Sequence, residues 1–149
     1  MLLAALVAGL LCICVLSVWQ PISFQQQRSE RERVVKQRLL AIGQAQTRFL
    51  ARHGHYAASL DSLDVPDSVK EIPYSSGGFQ FVLRTGMKKN RDGRDVPVME
   101  CGAVYEDYLE GLNAREIEYL NEEAASEGRY PGLRIGDINI PNNHAGNWE

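Results

Sequence analysis

Residues 1–19, MLLAALVAGLLCICVLSVW, form an apolar run without one charged side chain. About 20 such residues at 1.5 Å rise each cross the hydrocarbon core of a bilayer, so the pattern predicts a transmembrane helix over 1–19. Trp19 at its end suits the lipid–water interface. A cleaved secretory signal is the rival reading, but no Lys or Arg precedes the run and no small-x-small site follows it. Cys12 and Cys14 also lack the small neighbour that lipid attachment at an N-terminal cysteine wants.

Pro21 permits a kink after the run, and a second helix is expected over about 30–53. Ser29 with Glu32 fits a capping box, and Val35, Leu39, Ile42, Gln46 and Phe49 recur at spacings of four, three, four and three. Gly54 supplies the stop, with Arg48, Arg52 and His53 suited to the negative end of the helix dipole. Something must cover this stripe. The head of the same chain is the expected cover for its C-terminal half; for the N-terminal half the head and a neighbouring subunit's helix both stay open.

After Gly54 the pattern shortens. Ser59 can cap a turn carrying Leu60 and Leu63, which Pro66 ends. Phe79, Phe81 and Leu83 alternate with Gln80, Val82 and Arg84, a half-buried strand, and Asp92-Gly93 marks a hairpin within the polar MKKNRDGRD. Val96–Val104 reads as the returning strand, its start pushed toward a sheet edge by Pro97. Asn113 with Glu116 opens a helix through Ile117, Leu120 and Ala124 to Gly128, and Leu133–Ile140 reads as a last strand. The fold class is α+β: a transmembrane helix (1–19), a basic amphipathic stem (20–53) and a small antiparallel sheet in a head (54–149).

Charge sharpens this division. Residues 20–53 hold seven Lys or Arg against two acids, a net of +5, whereas 54–149 hold nine against seventeen, a net of −8; the overall −3 hides both. By the positive-inside rule alone, the cations C-terminal to the span put the head in the cytoplasm.

Chemistry is sparse. Cys101 stands alone on a predicted strand and reads as a buried thiol. His53 and His55 flank Gly54 with no third ligand at metal spacing, and His144 stands isolated in the tail. Glu122 and Glu123 are adjacent on a helix and point apart, so they cannot work as an acid/base pair. Lys88, Lys89, Arg91 and Arg94 are interrupted by Asp92 and Asp95 and have no interleaved aromatics, which argues against nucleic acid. No phosphate-binding glycine loop, metalloprotease motif or nucleophile elbow is present. No catalytic residue, metal site, cofactor or small-molecule substrate is expected. Trp148 in the Asn- and Gly-rich tail either plugs its own head or anchors a partner.

The order of apolar helix, basic amphipathic continuation, RHGHYAASLDSL (52–63) and antiparallel sheet resembles type IV pilins and type II secretion pseudopilins. No Glu interrupts the apolar helix and no short basic leader precedes it, so an anchored subunit is expected rather than a filament. QPISFQQQRSERERVVKQRLLAIGQAQ (20–46), YEDYLEGL (105–112) and GLRIGDINIPNNHAGNWE (132–149) more specifically resemble single-span, pilin-like envelope proteins of Bacteroidetes. That resemblance implies a non-enzymatic accessory of proton-driven motors of the ExbB/ExbD and TonB kind. It also implies an N-terminus inside and a periplasmic head. A minor pseudopilin is the alternative, an anchored periplasmic enzyme the weaker one. Candidate partner-binding residues are Ala5, Ala8, Gly9 and Trp19 on the span, Arg28, Arg31 and Val35 on the stem, and Trp148. The expected partners are membrane lipid and integral membrane motor or secretion subunits.

Overall fold

A computed structural model describes residues 2–149. Its first element, α1, runs unbroken from Leu2 to His53, 52 residues that make a rod roughly 78 Å long. Every side chain from Leu3 to Trp19 is exposed. The most apolar window has a mean hydropathy of 2.3, so this part of α1 is long and apolar enough to cross a membrane.

The separate second helix expected from about residue 30 is not formed. Helix continues through Pro21, although an interior proline removes a hydrogen bond and costs about 3 kcal/mol. Burial supplies the compensation: from Phe24 onward the head packs against α1. Ser29 and Glu32 therefore cap nothing, and Glu32 instead accepts from Arg28 Nε at 2.7 Å.

The stripe faces inward as its spacing requires. Val35, Leu39, Ile42 and Gln46 are fully buried and Phe49 partly so. Each fully buried aliphatic side chain contributes about 1.5–3 kcal/mol. The head covers the N-terminal half too, since Phe24 joins the same core as Tyr105, Tyr108 and Leu109.

Gly54 ends α1 with φ +75° and donates its N–H to Leu50 O at 2.8 Å. Ser59 caps a 3-10 turn at Leu60–Ser62 by accepting from Asp61 N. Pro66 begins a further turn, α2 (Asp67–Lys70), which the sequence pattern had not suggested.

The sheet has the order β1-β2-β3 and is antiparallel throughout. β1 is Val82–Lys89, three residues later than the alternation indicates, and it takes in Met87–Lys89. Phe81 is buried but Phe79 is exposed, and residues 70–72 pair with 79–81 before β1 begins. β2 is Asp95–Val104, and its start with Pro97 extends past the reach of β3. The turn between β1 and β2 is tied by Asn90, whose Oδ1 accepts from Asp92 N and Arg94 N. α3 (Tyr105–Tyr108) follows directly, then α4 (Ala114–Ser126), capped by Asn113 through Arg115 N.

β3 is only Gly132–Gly136, not the longer strand expected. Gly136 has φ +72°, and a Cβ there would lie 2.1 Å from Met99 O, so the chain must turn there and only glycine fits. α1 covers the sheet face carrying Leu83, Cys101 and Ile135.

Candidate interaction surfaces

On the span, Ala5, Ala8 and Gly9 fall at helical spacings of three and one on a single exposed face. Nothing lies within 4 Å of a Cβ built on Gly9, so a neighbouring backbone could approach closely. Trp19 is 67% exposed. All four are free to meet lipid or another helix.

The stem candidates are placed differently. Val35 is fully buried against the head. Arg28 pairs with Glu32 and lies 5.6 Å over the Tyr105 ring. Arg31 Nη1 donates to Tyr108 O at 3.0 Å, at the end of α3, and to Glu110 O at 2.8 Å in the turn after it. Its guanidinium also sits 4.7 Å over the ring of Tyr74, a residue in the left-handed region at φ 68°. These three residues spend their chemistry inside the chain. The outward face of the stem includes Arg33, Gln37, Leu40 and Gln44, at spacings of four, three and four.

Glu110 extends the Arg31 cluster. Its carboxylate accepts from the backbone N–H of Ser76 at 2.8 Å and from the Ser76 hydroxyl. Those hydrogen bonds hold it below the usual carboxylate range. Arg31, Tyr74, Ser76 and Glu110 thus join α1, α3 and the loop before β1. No local pattern connects residues so distant in sequence, and none could have revealed this.

The tail packs on its own head. Gly146 bridges to Ile135, Gly136 N–H donates to Ala145 O at 3.0 Å, and Asn147 N–H donates to Arg134 O at 3.1 Å. Asn147 copies a backbone with its side chain, accepting from Arg134 N and donating to Gly132 O. The tail therefore closes the β3 edge. Trp148 is half-buried against the core, with Lys36 Nζ 5.6 Å from its ring centre.

His144 is not isolated, contrary to expectation. Its Nε2 lies 2.7 Å from Tyr56 Oη and its Nδ1 3.3 Å from Thr47 Oγ1. The Thr47 hydroxyl donates to Gly43 O at 3.0 Å, so it accepts from Nδ1–H, which leaves Nε2 to accept the Tyr56 O–H. That assigns the neutral ring a tautomer, and burial lowers its pKa. A shallow groove of about 480 Å³ opens beside it, bordered by Leu40, Gln44, Thr47, Asn142 and Glu149.

The other face of the sheet hides a charge. Glu100, 4% exposed on central β2, is held between Arg84 of β1 and Arg134 of β3, the latter at 2.6 Å. Arg134 also pairs with Asp137 at 3.0 Å and lies 5.3 Å over Tyr130. Gly102 next to it admits Tyr130, whose hydroxyl would sit 3.0 Å from an added Cβ. The signal for this network was an acid amid the apolar run of a predicted strand.

Cys101 is fully buried, and burial pushes its thiol up to about 12, far from thiolate reactivity. The rings of His53 and His55 lie 6.1 Å apart and both contact Phe49. Among the described residues no group of three His, Cys, Asp or Glu could hold a metal ion. No protein-family model, curated protein or solved structure matches the chain.

Proposed function

We propose that this chain is a pilin-like, inner-membrane-anchored subunit of a multiprotein envelope machine and acts through contact rather than catalysis. The observation that carries the reading is the continuity of α1: exposed and apolar over 3–19, then buried in the head from Phe24. A helix that is anchor at one end and core at the other is the pilin arrangement. In the finer form of the proposal, the N-terminus is cytoplasmic, the head periplasmic, and the machine a proton-driven motor of the ExbB/ExbD kind that energises TonB-dependent transport. The face of Ala5, Ala8 and Gly9 would pack on integral membrane subunits. Because no ionisable side chain except two thiols lies in the span, its part in a motor is structural.

The same continuity supports a minor pseudopilin of a secretion system as the second reading. Mild-detergent purification of the tagged native protein separates the two. Near-stoichiometric motor subunits are the expected companions. Secretion subunits in their place would favour the second reading, and neither would overturn both. Labelling of a cysteine introduced at Arg91 by a membrane-impermeant reagent in intact spheroplasts tests the orientation; protection from it would refute the periplasmic head.

A further inference from the structure

The two edges of the sheet are treated unequally. The tail pairs along β3, but β1 has a strand neighbour on its β2 side alone. Among the described residues, the outer flank of β1 meets backbone only through residues 70–72, which pair with 79–81 before the strand starts. Past that point an eight-residue strand presents unpaired N–H and C=O groups to solvent, a template for one more strand. β1 and β2 also run on beyond the last β3 pair, Gly136 with Glu100, as a two-stranded ribbon.

The side chains there suit a partner. Outside the span, the exposed large apolar residues include Phe79, Val82 and Met87, all on β1 or the three residues before it. Charge is equally concentrated. Residues 82–95 hold Arg84, Lys88, Lys89, Arg91 and Arg94 against Asp92 and Asp95, a net of +3 even with Lys89 paired to Asp95 and Arg84 to Glu100, while the other head residues hold four bases against fifteen acids, a net of −11.

We infer that the free edge of β1 is a strand-addition site for an extended, acid-bearing segment of a partner protein. Backbone pairing supplies the attachment, and the cations select the charge of what attaches. A second copy of this chain is disfavoured as the occupant. Edge-to-edge pairing would bring Arg84, Lys88 and Lys89 of both copies together, and like charges on paired strands repel. The cations that repel a sister edge attract a segment of opposite charge. This inference rests on the sheet and stands apart from the proposed membrane role.

The test uses the full chain in detergent at low salt, with a ten-residue peptide alternating valine and glutamate. Its controls are the valine–lysine analogue and the valine–glutamate peptide N-methylated at alternate residues, which cannot extend a ladder. Amide hydrogen exchange over 83–89 should slow by about tenfold or more with the acidic peptide, and with neither control. The double variant K88E/K89E, altered at exposed positions, should keep native β2 protection and prefer the lysine peptide. No protection of β1 at millimolar acidic peptide would overturn the proposal. Equal binding of the N-methylated peptide would overturn strand addition, and protection that grows with protein concentration alone would make a second copy the occupant.

Discussion

The side-chain amide of Gln46 pairs with the backbone of Ala57 at both ends: Nε2 donates to Ala57 O at 3.0 Å, and Ala57 N–H donates to Oε1 at 2.9 Å. Both residues are buried, so the loop after α1 is folded back onto the helix where no water competes. Gln46→Leu keeps the volume and removes both partners. It should cost about 2–4 kcal/mol, the penalty for leaving a buried N–H and C=O unsatisfied, as measured by urea denaturation. A loss below about 0.5 kcal/mol would show that the loop does not depend on this pair.

Glu100 separates its two arginine partners by burial. Arg134 is mostly buried and Arg84 more than half exposed, although both reach the same carboxylate. Arg134→Ala should destabilise by about 3 kcal/mol because it leaves a buried charge short of its better-shielded partner. Arg84→Ala should cost under about 1 kcal/mol. Equal costs in the same denaturation assay would refute this division of roles.

The Arg31 fork is geometric, so charge alone should not replace it. Arg31→Lys keeps the cation but gives up the planar guanidinium that lies over Tyr74 while Nη1 reaches two carbonyls. Hydrogen exchange should quicken over Leu109–Leu112 and over Tyr74–Ser76 in this variant, with β2 unaffected. Unchanged exchange at both segments would show that the cluster is ornamental to the fold.

For His144 the sign of the pH effect follows from the lowered pKa. The unfolded ring, with its ordinary value of about 6.5, takes up a proton before the folded one does. The contribution of the neutral ring is complete above about pH 6.5 and declines as pH falls from there toward the lowered folded value. Tail amides at Ala145 and Asn147 should therefore lose protection in that window. His144→Asn, which tolerates the left-handed backbone at φ 64°, should abolish the dependence. A response retained in the variant would assign it to another group.

Local patterns carried the sequence reading where local forces decide. The stripe from Val35 to Phe49, the stop at Gly54, the cap at Ser59 and the helix opened by Asn113 all lie within a turn or two of their causes. Pro21 misled because its local cost is offset by burial of Phe24 and the stripe beyond it. The end of β3 was missed because a Gly136 conformation is invisible until Met99 O is known to sit against it. The His144 bridge, the Arg31 cluster and the closed β3 edge join residues that only the tertiary fold brings together. Of the interface candidates, Ala5, Ala8, Gly9 and Trp19 lie on an outward face, whereas Arg28, Arg31 and Val35 contact the chain's own head. Amphipathic spacing says that a face is covered, and not by what.

Only Ser23 separates Ile22, the last exposed apolar residue before the head, from Phe24, the first helix residue in the core. No linker intervenes, and the helix runs on through Pro21, which gives up one backbone hydrogen bond without ending it. Whatever grips residues 3–22 therefore holds the head through one continuous helix. The 31 residues from Phe24's neighbour Ser23 to His53 span roughly 46 Å, so a tilt of about 10° displaces their far end by about 8 Å. The free edge of β1 belongs to the same head, so a displacement of α1 carries that edge with it.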